Sequence, residues 1–254
     1  MSRIVNWFSC GAASAVASKM AITRAAPDQE VVTAYCQIRE EHPDNMRFLK
    51  DCEEWLGQEI IILGNDKYSR SIYEVFWRTR FLKGPSGARC TGELKKAVRH
   101  DFQKPNDLLV MGYTVGEEGR LDRFLAANND ARVWPILQEC GISHSDCLAM
   151  IERAGIELPV MYKLGYRNNN CIGCVKGEAG YWNKIRVDFP DVFKRMSDME
   201  RLLGRTVCKI EKGGKILRVP LKELPPEQGD YPNEPDIDCS IFCHLEETKY
   251  RGSA

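Results

Sequence analysis

IVNWFSCGAASAVASKMAITR, residues 4–24, decides the fold. Its first five residues, Ile4 to Phe8, are β-branched or aromatic apart from Asn6 and read as a buried strand. The small-residue run Ser9-Cys10-Gly11-Ala12-Ala13-Ser14 follows at once and leads into a helix expected over 12–24. A strand that turns into a helix through small residues opens a βαβ unit, and the alternation continues downstream. Apolar runs at 30–35, 59–63 and 108–112 are separated by helical patterns at 43–56, 71–81 and 90–102. This predicts a doubly wound parallel α/β sheet with helices on both faces. Ligands in such sheets bind beyond the carboxyl ends of the strands, so the turns after Phe8, Tyr35, Leu63 and Gly112 are expected around one cleft.

Further along, a helix is expected over 143–155, with Ser143 as N-cap and Gly155 as its stop, then a loop over 165–177 and a helix over 181–203. The tail, residues 212–238, is rich in Gly and Pro, and Lys212-Gly213-Gly214-Lys215 reads as a hairpin turn. The expected division is one main domain over 1–205 and a small C-terminal extension with a β-hairpin over 206–254.

A chain of 254 residues with 43% hydrophobic content can bury a sizeable core. Its 36 basic and 36 acidic residues cancel, which excludes a global positive field for nucleic acid or membranes and leaves only local patches. The apolar run Ile4–Phe8 is too short for a signal segment or a membrane span, so a cytoplasmic protein without a membrane partner is expected. In that setting 11 cysteines at irregular spacing fit thiol chemistry or metal binding better than a disulfide framework.

The loop Ser9–Ser14 carries the first candidate chemistry. Small residues between a strand and a helix let backbone N–H groups close on a phosphate, with the helix N-terminus adding positive charge. The alternative is that they serve tight strand-to-helix packing. Cys10 puts a thiol at that helix terminus, where a thiolate is stabilised, so a role as sulfur carrier or redox partner is expected; a small tolerated residue is the plainer reading. Cys171-Ile172-Gly173-Cys174 has the spacing that lets two sulfurs face one metal. Cys36, Cys52 and Cys208 lie in apolar or helical patterns and read as core. His144 and His244 are weaker candidates for acid–base or metal roles. Tyr166, Arg167, Lys176, Tyr181, Trp182, Lys184 and Arg186 form either a nucleic-acid-facing edge or an ordinary amphipathic helix with Trp182, Ile185 and Phe189 inward.

The loop resembles the Ser-Gly-Gly-x-Asp-Ser pyrophosphate loop of the adenine-nucleotide alpha-hydrolase superfamily, with Ser9, Gly11 and Ser14 in register. Cys10 stands for its first-pair glycine and Ala13 for its aspartate. The similarity continues in order toward the phosphoadenosine-phosphosulfate reductase branch, through ARCTGELKKAV (88–98), VMGYTVGEEGR (110–120) and the stretch from Trp134 to Cys174. It spans roughly residues 3–177.

The resemblance implies an ATP pyrophosphatase in which Ser9, Gly11, Ala12 and Ser14 hold the phosphates. Gly112, Glu117 or Glu118, and Arg120 lie near the nucleotide, and Lys95 or Arg89 meets phosphate or substrate. ATP and Mg2+ are the implied cofactors. Cys147 is the implied partner of Cys10, with Cys140 second, and Cys90 is the implied third ligand to Cys171 and Cys174. Iron–sulfur relatives have a second cysteine where Thr91 stands here, so a three-cysteine [4Fe-4S] cluster with an open iron is one expectation. A zinc or a plain thiol pair is the other, with Cys239 and Cys243 as possible further ligands.

The catalytic Cys-bearing tail of the reductases is absent near Cys239 and Cys243, so the chain looks most like the small ATP pyrophosphatases of DNA phosphorothioate modification. Those relatives imply a cysteine desulfurase as sulfur donor, a DNA substrate, and nickase and ATPase partners. Base thiolation of tRNA, sulfonucleotide reduction and a non-catalytic nucleotide-binding accessory role are the alternatives.

Overall fold

The structure, a computed structural model, describes residues 2–85, 87–237 and 239. Five parallel strands form the main sheet: β1 (Ile4–Phe8), β2 (Val31–Cys36), β3 (Ile60–Leu63), β4 (Leu108–Val110) and β5 (Arg132–Trp134), ordered β3-β2-β1-β4-β5. Ile4 lies opposite Val31 on one side and Leu108 on the other. All five residues of β1 are buried, as expected of a central parallel strand covered on both faces.

Side chains alternate across that strand. Ile4 and Phe8 join one apolar cluster with helix α1 (Ala12–Arg24), helix α2 (Asn45–Leu56) and Ile151, while Val5 and Trp7 join a second with Val98, Leu121 and Phe124. The chain therefore winds from β1 outward to β3, returns on the far side of β1, and continues to β5. The strand order reverses between β1 and β4, the place where such sheets open a crevice.

Two elements escape the sequence pattern. The three-residue strand β5 and the helix Glu118–Ala127 before it were not expected, since so short a strand carries no readable period. The helix expected over 181–203 is two, Ala179–Asp188 and Pro190–Leu203, because Pro190 has no N–H to continue the first and takes the opening turn of the second. The helix His144–Arg153 does begin at Ser143, whose hydroxyl accepts from Asp146 N while Asp146 accepts from Ser143 N.

A third cluster holds the C-terminal part around the fully buried Trp182. Strands Cys208–Lys212 and Lys215–Val219 form the expected hairpin, its two-residue turn made by Gly213 and Gly214 at φ 58 and 71. Val207, Cys208, Leu221 and Leu224 share this cluster with Ile185 and Met196, so residues on both sides of position 205 bury one core. Among the described residues, no helix is long and apolar enough to cross a membrane.

Candidate functional site

β1 ends at Phe8 and α1 begins at Ala12, leaving three residues for the turn. Cys10 takes φ 54, a left-handed conformation that side chains disfavour, in the position where the resembled motif has glycine. Gly11 is the extended N-cap and offers no side-chain cap, so the first N–H groups of α1 are not closed off by their own N-cap residue. The Ser14 hydroxyl accepts from Ser9 N and Ser9 Oγ, each at 3.0 Å, and donates to the Gly11 carbonyl at 2.9 Å. This ties the strand end to the first helical turn.

Gly112, just past β4, meets the same turn across the switch point. A Cβ there would sit 2.7 Å from Ser14 N and 3.0 Å from Ala13 C, so only glycine lets the two backbones approach. Ser9, Gly11, Ala12, Ser14 and Gly112 are thus brought together. Sequence reasoning missed Tyr162. The short helix Val160–Lys163 brings its hydroxyl over the loop, where it accepts the Ala12 N–H and lies 3.2 Å from the place of a Gly11 Cβ. Nothing in the local sequence marks it, because the contact spans some 150 residues of chain.

On the far rim, Glu117 accepts from Thr114 N and Thr114 Oγ1, both at 2.9 Å, and pairs with Arg120. The Arg120 guanidinium lies 4.8 Å from the centre of the Tyr113 ring. These residues follow β4, on the carboxyl edge that also carries the Ser9–Ser14 loop. Glu118 accepts from Gly116 N at the surface.

Cys10, Cys147, Arg89 and Lys95 are engaged by the protein itself. Cys10 is fully buried with Sγ 3.7 Å from the Asn45 carbonyl, and burial, reinforced by the nearby Glu41, pushes its thiol well above the ordinary range. The helix terminus does not make it a thiolate. Cys147 shares its apolar cluster and is pushed up to about 12 by burial, so both are neutral, unpaired thiols. Arg89 pairs with Glu93 at 2.8 Å, and Lys95 is buried 3.8 Å from the Glu41 carboxylate and 3.5 Å from the Cys239 carbonyl, facing a thiol cavity rather than an open phosphate site.

If the thiol of Cys10 is structural, Cys10→Ala keeps the backbone conformation and removes only the sulfur. Its rate of pyrophosphate release from ATP should stay within about twofold of wild type, a change under about half a kcal/mol in barrier. A loss of two orders of magnitude would restore the working-thiol expectation.

That cavity is lined by Cys90, Cys171, Cys174 and Cys239 together with Ile38, Ile72, Thr91, Lys95 and Val175. Gly173, at φ 76, makes the turn between the paired cysteines. The Tyr181 hydroxyl accepts Gly173 N at 3.0 Å and Cys174 N at 2.9 Å, and donates to the Cys171 carbonyl. Among the described residues no group of three or more His, Cys, Asp or Glu side chains is already drawn into metal-binding geometry. Cys243 and His244 lie outside the described residues.

A buried polar chain joins cavity and loop. Lys95 faces Glu41, which accepts from Tyr35 and Asn45; Asn169 Nδ2 donates to Asn45 Oδ1 and to the Cys10 carbonyl, each at 2.7 Å. Burial raises the Glu41 carboxyl above its ordinary value, with Lys95 opposing.

The basic and aromatic stretch resolves toward packing. Trp182, Tyr181 and Tyr166 are buried, Lys184 pairs with Asp188, and Arg186 donates to the Leu221 and Leu224 carbonyls. Phe189 is only partly buried against the same cluster. No family model, curated protein or solved structure matches this chain.

Proposed function

We propose that the chain is a PP-loop ATP pyrophosphatase that adenylates an oxygen of a nucleic acid so that sulfur can replace it, with a DNA backbone phosphate as the substrate. The observation that carries this reading is the loop Ser9–Ser14 at the sheet's switch point, pressed against Gly112 so closely that a Cβ would lie 2.7 Å from Ser14 N. Backbone N–H groups and the dipole of the 13-residue helix α1 then face the position of the leaving pyrophosphate. Tyr162, holding the Ala12 N–H, gives way to or shares that donor with a phosphate oxygen.

Glu117 is already engaged by Thr114 and Arg120, so magnesium is expected to be carried mainly by phosphate oxygens and water. The resemblance assigns sulfur delivery to a cysteine desulfurase and places nickase and ATPase proteins alongside. The buried Cys10, whose thiol is pushed well above its ordinary range, favours delivery of sulfur directly to the phosphorus that bears the adenylated oxygen, with AMP as the leaving group, over relay through this thiol. The cysteine-lined cavity supports a second reading, tRNA base thiolation with sulfur borne on a [4Fe-4S] cluster at Cys90, Cys171 and Cys174.

Substrate dependence separates the two. Pyrophosphate release from ATP and magnesium is measured with duplex DNA, single-stranded DNA or tRNA present. Stimulation by DNA supports the first reading and stimulation by tRNA the second; silence with all three, and with ATP alone, sinks both.

A further inference from the structure

The C-terminal extension is strapped over the paired cysteines. Gly229 and Gly180 meet so closely that a Cβ on the first would lie 2.1 Å from the backbone N of the second, and one on Gly180 would lie 2.5 Å from Tyr231 N. The Glu234 carboxylate accepts Gly180 N at 2.5 Å and Tyr181 N at 2.9 Å, closing the N-terminus of the helix Ala179–Asp188. Arg167 pairs with Asp236 at 3.1 Å and donates to the Pro235 carbonyl, and Asn170 donates to the Ile237 carbonyl. These ties run along residues 229–237 and lead into the cavity, where Cys239 arrives beside Cys90, Cys171 and Cys174.

Cys239 Sγ lies 3.7 Å from the hydroxyl of Thr91, the residue next to Cys90. A sulfur from the tail therefore occupies the neighbourhood of position 91, where the chain itself has no thiol. Lys95, held against the Cys239 carbonyl, supplies positive charge to a site that becomes anionic once its thiols ionise.

We propose that Cys239 is the fourth ligand of a closed four-thiolate site, formed with Cys90, Cys171 and Cys174, that takes a thiophilic metal centre. The shared ligand chemistry admits a zinc ion or a [4Fe-4S] cluster. On binding, the thiols give up their protons to solvent, the sulfurs draw in on the metal, and the strap becomes pinned to the Cys171–Cys174 turn. Four protein thiolates leave no open coordination position, so a cluster here carries no spare iron for sulfide, which counts against cluster-borne sulfur. The inference rests on the lining of the cavity and on neither reading of the proposed function.

The test uses the full chain purified without oxygen. Iron, acid-labile sulfide and zinc are quantified, and the metal-free chain is titrated with Co2+ while visible absorption is recorded. The expected result is one centre per chain, with Cys239→Ser and Cys171→Ser each lowering metal affinity by about tenfold or more. Cobalt in Cys239→Ser should show the spectrum of three sulfur ligands in place of four. Cys208→Ser, in the same apolar cluster but not lining the cavity, keeps the centre and the four-sulfur spectrum. Cys239→His separates loss of the ligand from a disturbed strap: it supplies a replacement ligand and should recover metal with an altered cobalt spectrum. A brown protein with sulfide identifies a cluster and a colourless one with zinc identifies zinc; either supports the proposal. Wild-type chain that holds neither and binds no cobalt overturns it, as does Cys239→Ser with unchanged affinity and spectrum. None of these readouts uses ATP, so they stand or fall apart from pyrophosphate release.

Discussion

Gly112→Ala will lower the rate of pyrophosphate release about a hundredfold and lower the melting temperature. The added Cβ would lie 2.7 Å from Ser14 N, 3.0 Å from Ala13 C and 3.0 Å from Ser14 Cα, all backbone atoms of the first turn of α1. No flexible side chain is there to yield, so the turn itself must move. Overpacking of this kind costs about 1–3 kcal/mol, which for a chain of this size is a fall of roughly 2–12 °C. The larger effect is on activity, because the displaced backbone is the phosphate cradle, and a misplacement near 1 Å costs about a hundredfold in rate. Gly116→Ala is the control: Gly116 has φ 90 and no atom within 4 Å of its absent Cβ, so that variant bears local strain only and keeps its activity. Full activity in Gly112→Ala would mean that the loop does not hold the reacting phosphates.

Glu200→Ala carries the largest expected effect on stability. Glu200 is buried on the helix Pro190–Leu203, and its carboxylate accepts Val207 N at 2.6 Å and Leu221 N at 2.7 Å, one donor on each side of the hairpin. Alanine leaves both N–H groups buried without an acceptor and opens a small cavity, a loss on the order of 3 kcal/mol. At this chain length that is a fall of roughly 6–12 °C in melting temperature. Glu200→Gln keeps one acceptor oxygen and should fall between.

The same residue sets a pH dependence. Burial raises the Glu200 carboxyl above 4.5 although two N–H donors and Lys83 oppose it. The folded chain therefore holds the proton more tightly than the unfolded one. Its contribution is fully present below pH 4.5 and fades as pH rises through the raised value. Chemical denaturation at a series of pH values should show this slope in wild type and lose it in Glu200→Gln; an unchanged slope would place the titration elsewhere.

What was legible in the sequence follows from the range of the forces involved. β1 and the turn after it are readable because burial on both faces makes a continuous apolar run, and because a run of small residues between a strand and a helix marks a tight turn. β5 was invisible, since three residues cannot display a period and its pairing with Leu108–Val110 is a tertiary fact. The break at Pro190 was readable in principle from proline's missing N–H, yet the helical pattern on both sides masked it. The surroundings of Cys10 were not legible, because a helix-terminus effect falls off within a turn, whereas the full burial that penalises its thiolate is a tertiary fact. Cys239 lay in plain view, but the contacts that carry it to Cys90, Cys171 and Cys174 run through Gly229, Glu234 and Asp236, none of which has a local signature. Tyr162 belongs to the same class, with a role made by a short helix packed across the chain.

The most direct test of the central claim identifies the bond of ATP that breaks. Wild-type chain, purified without oxygen and supplied with ATP, magnesium and DNA, is followed by phosphorus NMR, with Ser14→Ala run in parallel. Wild type should yield AMP and pyrophosphate in equal amounts, and Ser14→Ala, which loses the hydroxyl that joins Ser9 to Gly11, should do so at a rate at least about tenfold lower. ADP and inorganic phosphate as products, or no turnover of ATP at all, would contradict that claim.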